Sequence, residues 1–149
     1  MTAATARRVR EHTREEWNEE IQKRTERSIA YHAAHPEEIE DRLAELDREW
    51  DVERTLQTSA ASLSLLGLVL GVGASRRWLV LSAAVSGFLL QHAVQGWCPP
   101  LAVVRRLGVR TAQEIDAERY ALKALRGDFE DLPGAQGDGL RRLLAAVRR

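Results

Sequence analysis

The chain contains one long stretch that is almost free of charge, flanked on both sides by densely charged segments. Between residues 55 and 104 the only charged side chains are Arg76 and Arg77, which divide the stretch into two uncharged blocks. The blocks, 55–75 and 78–98, each contain 21 residues. As a helix, each would be about 31 Å long, close to the ~30 Å hydrocarbon core of a bilayer. The pattern predicts an all-α protein built on a two-span transmembrane helical hairpin.

The flanks carry nearly all of the charge and determine the rest of the predicted organisation. Of 44 acidic and basic residues only two lie within 55–104, and the net charge is zero. No basic surface dominates, which argues against nucleic acid as a partner. We predict a charged cytoplasmic helical region at 1–54, juxtamembrane helices at 105–127, and a flexible tail at 128–149. The basic amphipathic end of this tail either binds anionic lipid or is disordered in solution.

The N-terminal flank predicts two helices. Residues 6–34 have high helix propensity but only a thin apolar stripe, so this helix is expected to be loosely docked. Pro36 suits the first position of a second helix. Its apolar residues recur at spacings of 4, 3 and 4 and form a seam for a partner helix or a membrane surface: Ile39, Leu43, Leu46 and Trp50. No helix breaker follows Trp50, so we expect this helix to continue into the first span.

The C-terminal flank carries recognisable helix start and stop signals. Pro99 favours a short helix over 99–107 that ends at Gly108. Thr111 and Glu114 have the spacing of a capping box, which predicts a further helix from Ala112 to Arg126. Its apolar positions suggest that it docks on the membrane surface or on the helix around Trp50.

Small residues recur on one face of each apolar block. Ala60, Ser64, Gly67 and Gly71 follow spacings of 4, 3 and 4 in the first block. Helices in lipid approach closely through such side chains, because apolar burial provides no net attraction there. We predict helix packing through Gly67, Gly71, Ser82 and Ser86, which would close the hairpin and leave a surface for a second copy. The alternative is that small residues are simply common in membrane spans.

Basic residues near the ends of the spans predict the orientation of the hairpin. Only Arg76 and Arg77 lie in the loop, whereas seven arginines lie on the side of the termini: Arg42, Arg48, Arg54, Arg105, Arg106, Arg110 and Arg119. This imbalance predicts that both termini are cytoplasmic. Trp78 and Trp97 bracket the second block as interfacial anchors.

The end of the second block holds the only residues with candidate chemistry. Polar groups at membrane depth are costly, so Gln91 and His92 are functional candidates, unless they reach the interface or bond across the hairpin. Cys98 is the weak candidate thiol, with His92 as its neighbour in the sequence. A helix N-terminus with Arg105 and Arg106 would favour the thiolate, whereas apolar surroundings would favour the neutral thiol.

Other kinds of site find less support. A single cysteine excludes a disulfide within the chain. His32 and His35 are spaced for a metal ion, but they flank a predicted helix break and are expected to be solvated. We therefore expect no cofactor, no metal and no catalytic residues.

Two short motifs carry a family resemblance. The block ends in GWCP, residues Gly96, Trp97, Cys98 and Pro99, and RRLGVRT follows at 105–111. Together with the hairpin, the region 52–112 resembles the YgaP-like inner-membrane transmembrane domain, a bacterial family of unknown function. The flanking stretches LDREWDVER (46–54) and RYALKALRGDF (119–129) resemble a subgroup of that family with longer helical flanks and no rhodanese domain. The resemblance implies that GWCP is the family motif. Some relatives carry a rhodanese-like sulfurtransferase domain, but the only cysteine here belongs to the hairpin, so we do not expect that activity.

The sequence thus predicts a non-enzymatic integral protein of the bacterial inner membrane that acts as a self-associating anchor or scaffold. Self-association is expected through Gly67, Gly71 and the seam around Leu43 and Trp50. Its expected partners are the lipid bilayer, a second copy of the chain and a cytoplasmic protein. The alternative is a membrane thiol site at Cys98 that handles sulfur or redox chemistry.

Overall fold

The computed structural model describes residues 8–129, and every regular element in that range is helical. A helical turn at 8–11 precedes six α-helices. They are α1 (Glu15–Ala34), α2 (Ile39–Arg48), α3 (Val52–Gly73), α4 (Leu79–Gln95), α5 (Pro99–Arg106) and α6 (Ala112–Arg126). The 3-10 turns Pro36–Glu38 and Arg76–Trp78 precede α2 and α4. The all-α prediction is confirmed, while most of the predicted 128–149 tail lies outside the described residues.

The described chain divides into two compact units. Residues 8–23 and Glu49–Ile115 form the first unit, which contains α3, α4 and α5. Arg24–Arg48 and residues 116–129 form the second, which contains α2 and most of α6. The segment predicted as a single N-terminal region therefore contributes residues to both units.

In the first unit, α3 and α4 pack against each other as an antiparallel pair. The side chain of Leu79, at the start of α4, lies against Gly71 near the end of α3, and Ser64 contacts Ser86 further along. The helix α4 ends at Gln95, earlier than predicted, because Gly96 adopts a left-handed conformation with φ of 74°. Its N–H bonds the carbonyl of His92 at 2.7 Å, which is the usual way to terminate a helix at glycine.

The predicted continuous helix from α2 into the first apolar block is wrong. The helix α2 ends at Arg48, and α3 begins at Val52. Asp51 is extended and caps α3, its Oδ1 accepting the Arg54 N–H at 2.6 Å. The Val52 N–H donates to the carbonyl of Arg110 at 2.9 Å, so a residue from far along the chain fixes the new start.

The helix predicted over 6–34 is interrupted at residues 12–14. The Thr13 hydroxyl bonds the carbonyl of Val9, and the Asn18 amide donates to the carbonyl of Arg10 at 3.1 Å. Side chains of this kind offer the backbone an alternative to helical hydrogen bonds. The segment is also more firmly docked than expected, since Val9 and Asn18 are almost fully buried.

In the second unit, the apolar residues of α2 are covered by the chain itself. Ile39, Leu43 and Leu46 are buried. The carboxylate of Glu118, on α6, is fully buried and accepts hydrogen bonds from Ser28 at 2.6 Å and Arg42 at 2.9 Å. The seam therefore packs within the chain. Trp50, the fourth residue of the predicted seam, lies beyond the end of α2 and is exposed.

Candidate functional site

The small residues predicted to pack the apolar helices meet at one interface between α3 and α4. The Ser64 hydroxyl lies 2.9 Å from that of Ser82 and 3.3 Å from that of Ser86. A Cβ atom added at Gly67 would lie 3.0 Å from the backbone nitrogen of Ser82. One added at Gly71 would lie 2.7 Å from Leu79 Cγ. At both glycines the partner helix occupies the space that a side chain would need.

This interface changes which surface is open to a second copy. Gly67 and Gly71 are buried inside the chain, so self-association through them, as the sequence suggested, is incompatible with this packing. A Cβ at Gly87 would instead meet no described atom within 4 Å, and the adjacent Ala83 and Ala84 are exposed. An exposed small-residue face thus lies on α4.

Cys98 is the N-terminal cap residue of α5, and its side chain makes no capping hydrogen bond. Only 3% of its surface is exposed. Its neighbours form the apolar cluster of the first unit: Val9, Val52, Leu56, Leu101 and Val104. Cys98 therefore lies at a helix N-terminus, as the sequence predicted, but apolar side chains enclose its thiol.

The other candidates near Cys98 do not combine with it into one polar site. His92 is 6% exposed, and within residues 8–129 neither of its ring nitrogens has a hydrogen-bond partner. No hydrogen bond joins it to Cys98 in this range. Gln91 is half-buried, whereas Gln95 is exposed. The polar residues at the end of the second block are therefore divided between buried and exposed positions.

We expect Cys98 to alkylate slowly in the folded protein, because its thiol is enclosed by apolar side chains. In mild detergent near neutral pH, it should react about tenfold or more slowly than an exposed cysteine, since reaction requires local opening. The matched control is Arg106→Cys in a Cys98→Ser background, because Arg106 lies on the exposed side of the same helix. Mass spectrometry of maleimide adducts over time measures both rates. Equal rates would show that the thiol is accessible or activated.

A buried ion-pair network, which sequence reasoning missed, holds α5. The guanidinium of Arg105 donates to both carboxylate oxygens of Glu114, at 2.7 and 3.1 Å. It also donates to Asn18 Oδ1 at 2.7 Å and to the carbonyl of Val109 at 3.1 Å. Arg105 is therefore not free to act on Cys98. Arg105 follows Leu101 by four residues, so the two lie on the same face of α5. This spacing is the sequence feature that could have predicted the burial of Arg105.

A second buried arginine, Arg110, pairs with Glu49 in the short segment between α2 and α3. Arg110 Nε donates to Glu49 Oε1 at 2.8 Å, and Nη2 contacts Glu49 Oε2 at 2.5 Å. Arg110 is only 1% exposed. Such a two-point pair fixes orientation as well as distance. The sequence identified Arg110 only as a basic residue beside a membrane.

Glu114 has two roles at the start of α6. The predicted capping box is confirmed, since Thr111 N–H donates to Glu114 Oε2 at 2.8 Å and Glu114 N–H donates to Thr111 Oγ1 at 3.3 Å. Burial alone would raise the pKa of the Glu114 carboxyl. The hydrogen bonds from Arg105 and Thr111 outweigh this effect and lower the pKa from its ordinary 4.5. The carboxylate therefore stays ionised beside Arg105.

The two histidines in the second unit have backbone partners. His32 Nδ1 donates to the carbonyl of Ser28 at 2.7 Å, and His35 Nδ1 to that of Tyr31 at 2.9 Å. His32 is buried rather than solvated as expected. Across residues 8–129, no group of three or more His, Cys, Asp or Glu side chains is placed to hold a metal ion.

No family model, no curated protein and no solved structure matches this chain. The YgaP-like resemblance of the GWCP and RRLGVRT motifs therefore stays a prediction. In the structure, Gly96 terminates α4 and Cys98 caps α5, so the GWCP motif forms the connection between these two helices.

Proposed function

We propose that this chain is an integral protein of the bacterial inner membrane, with α3 and α4 as its two spans and with both termini cytoplasmic. It acts as a non-enzymatic anchor or scaffold that associates with a second copy and presents its charged helices to a cytoplasmic protein. The observation that carries the proposal is the exposed apolar surface of α3 and α4.

The length and composition of both helices suit a bilayer. The helix α3 has 22 residues, and α4 with its preceding 3-10 turn has 20. These lengths correspond to about 33 and 30 Å, against a hydrocarbon core of about 30 Å. Both are apolar enough to span a membrane.

Their exposure separates them from the core helices of a soluble domain, which are mostly buried. In the most apolar 18-residue stretch of each segment, only 17% and 6% of the residues are buried. Val72 is 84% exposed and Val80 is 70% exposed. Soluble monomers rarely expose contiguous apolar patches larger than a few hundred Å². The hydrocarbon core of a lipid bilayer is the environment that suits such a surface.

The amphipathic helix α5 supports the same assignment. Leu101, Val104 and Arg105 form its buried face. On the other side, Val103 and Leu107 are exposed beside Arg106, and Trp97 is exposed just before the helix. Exposed apolar residues flanked by arginine and tryptophan are typical of a helix in the membrane interface. We place α5 at the headgroup level, directly after the second span.

The scaffold role rests on the charged surface of the described flanks. Lys23 and Glu19 pair on the exposed side of α1, and Arg42 pairs with the exposed Glu45 of α2. Exposed pairs of this kind contribute little to stability. The exposed side chains of Lys23, Glu19 and Glu45 present charge to a polar partner. The resemblance to the YgaP-like family supports the inner-membrane location, and the excess of arginines near the termini supports the orientation.

The proposal predicts a defined labelling pattern with a membrane-impermeant maleimide. In a Cys98→Ser background, Ala74→Cys, between α3 and α4, should be labelled in intact bacterial spheroplasts. Glu16→Cys, on exposed α1, should be labelled only after the membrane is permeabilised. Labelling in detergent provides the reactivity control for each cysteine.

Extraction separates the possible failures of this proposal. The chain should remain in the membrane pellet at alkaline pH and dissolve only with detergent. Recovery in the soluble fraction would reject the membrane assignment. A reversed labelling pattern in a membrane-retained protein would reject only the orientation.

A further inference from the structure

An apolar groove of about 90 Å³ lies in the first unit, between α3, α4 and the beginning of α5. Leu56 and Cys98, at 5% and 3% exposure, form its floor. Leu63 and Phe88 also line it, and they are among the exposed large side chains of the two long helices. The groove therefore runs from the outer apolar surface down to the buried cluster around Cys98.

The chemistry of the lining determines what can occupy this space. A volume of about 10–15 Å³ is enough for one water molecule, but a buried water also needs two to four polar partners. Ser59 and Cys98 supply the only polar side-chain atoms of the lining. A group without hydrogen-bonding needs is consequently the better occupant, because it leaves no polar atom unsatisfied.

Continuity with the outer surface identifies that group. Leu63 and Phe88 belong to the exposed apolar surface that, in the proposed function, faces lipid. The molecules next to them are then phospholipid acyl chains. A chain that enters the groove contacts three helices, whereas a chain on the outer surface contacts one or two. This difference favours a bound chain over the lipid that merely surrounds the protein.

We propose that the groove is a binding site for one acyl chain of a membrane phospholipid, whose inserted segment reaches Leu56 and Cys98. The inference rests on the proposed membrane location. It adds a specific lipid site at the connection between α4 and α5, the position of the GWCP motif.

Photo-crosslinking in vesicles tests this site. The full chain is reconstituted in phosphatidylcholine that contains a small fraction of phosphatidylcholine with a diazirine in the acyl chain. After irradiation, mass spectrometry locates the adducts. We expect adducts at Leu56 and Cys98, although both are buried, together with adducts on outer residues such as Leu65 and Val72. Adducts confined to the outer residues would overturn the inference without the need for a variant.

A pair of substitutions provides the second readout. Ala60 lines the groove, so Ala60→Phe should fill it and reduce the adducts at Leu56 and Cys98 at least threefold. Ala84→Phe is the matched control, because Ala84 is exposed on α4 and does not line the groove. Unchanged floor adducts in Ala60→Phe would overturn the inference. Absence of adducts on both α3 and α4 would instead reject the membrane proposal itself.

Discussion

Replacing Arg105 by leucine is expected to lower the free energy of unfolding of the first unit by about 3–5 kcal/mol, the range for breaking one side of a buried ion pair. The substitution removes the two-point partner of the largely buried Glu114, which retains the Thr111 N–H and the more distant Arg10 Nε at 4.0 Å. It also removes the hydrogen bond to Asn18. Chemical denaturation in mild detergent, followed by tryptophan fluorescence, measures the effect.

Arg106→Leu is the matched control for this substitution. Arg106 is adjacent on the same helix but exposed, so its replacement should change stability by less than about 0.5 kcal/mol. Combining Arg105→Leu with Glu114→Gln should recover part of the loss, because the second change removes the stranded charge. Equal effects of Arg105→Leu and Arg106→Leu would mean that the buried network contributes nothing beyond the loss of a surface charge.

The sequence predicted best where the determining chemistry is local. The capping box at Thr111 and Glu114 placed the start of α6 correctly, and Gly108, with φ of 80°, follows α5 as its position suggested. These signals act over three or four residues, so their spacing is visible in the chain. The antiparallel apolar helices were similarly marked by two uncharged blocks separated by Arg76 and Arg77.

Prediction failed where a distant residue decided the local structure. Nothing between Trp50 and Thr55 has the composition of a strong helix breaker, yet α3 starts anew at Val52. Asp51 provides the cap, but the carbonyl of Arg110 accepts the Val52 N–H, and the Arg110 side chain holds Glu49. A contact across some sixty positions cannot be recovered from local propensity.

The candidate site was harder to predict, because burial depends on the assembled helices. Arg105 counted in the sequence as a topogenic charge beside a span, whereas in the structure it is almost fully buried and paired. For Cys98, the sequence is compatible with either an activating or an apolar environment. The cluster around Val9 and Leu101 decided this question, and Val9 comes from a segment nearly ninety residues earlier.

Gly67→Ile is expected to destabilise the packing of α3 on α4 by about 1–3 kcal/mol, the usual cost of overpacking a well-packed interface. A Cβ there would lie 3.0 Å from the Ser82 nitrogen and 3.1 Å from the Trp78 carbonyl oxygen. Both are backbone atoms, so relief requires the helices to separate rather than a side chain to rotate. The midpoint of unfolding in denaturing detergent should fall accordingly.

Gly87→Ile separates this steric effect from the helix propensity of isoleucine, because it makes the same change within an apolar helix where a Cβ meets nothing described within 4 Å. It should leave the unfolding midpoint nearly unchanged.

The same two variants test self-association by crosslinking in mild detergent. If two copies associate through the outer face of α4, Gly87→Ile should reduce the amount of crosslinked dimer. Gly67→Ile should reduce it only in proportion to the fraction of hairpin that it unfolds. Loss of the dimer in Gly67→Ile without loss of hairpin stability would instead show that the copies contact each other through α3. In that case, the packing of Gly67 against Ser82 would have to open when two copies associate.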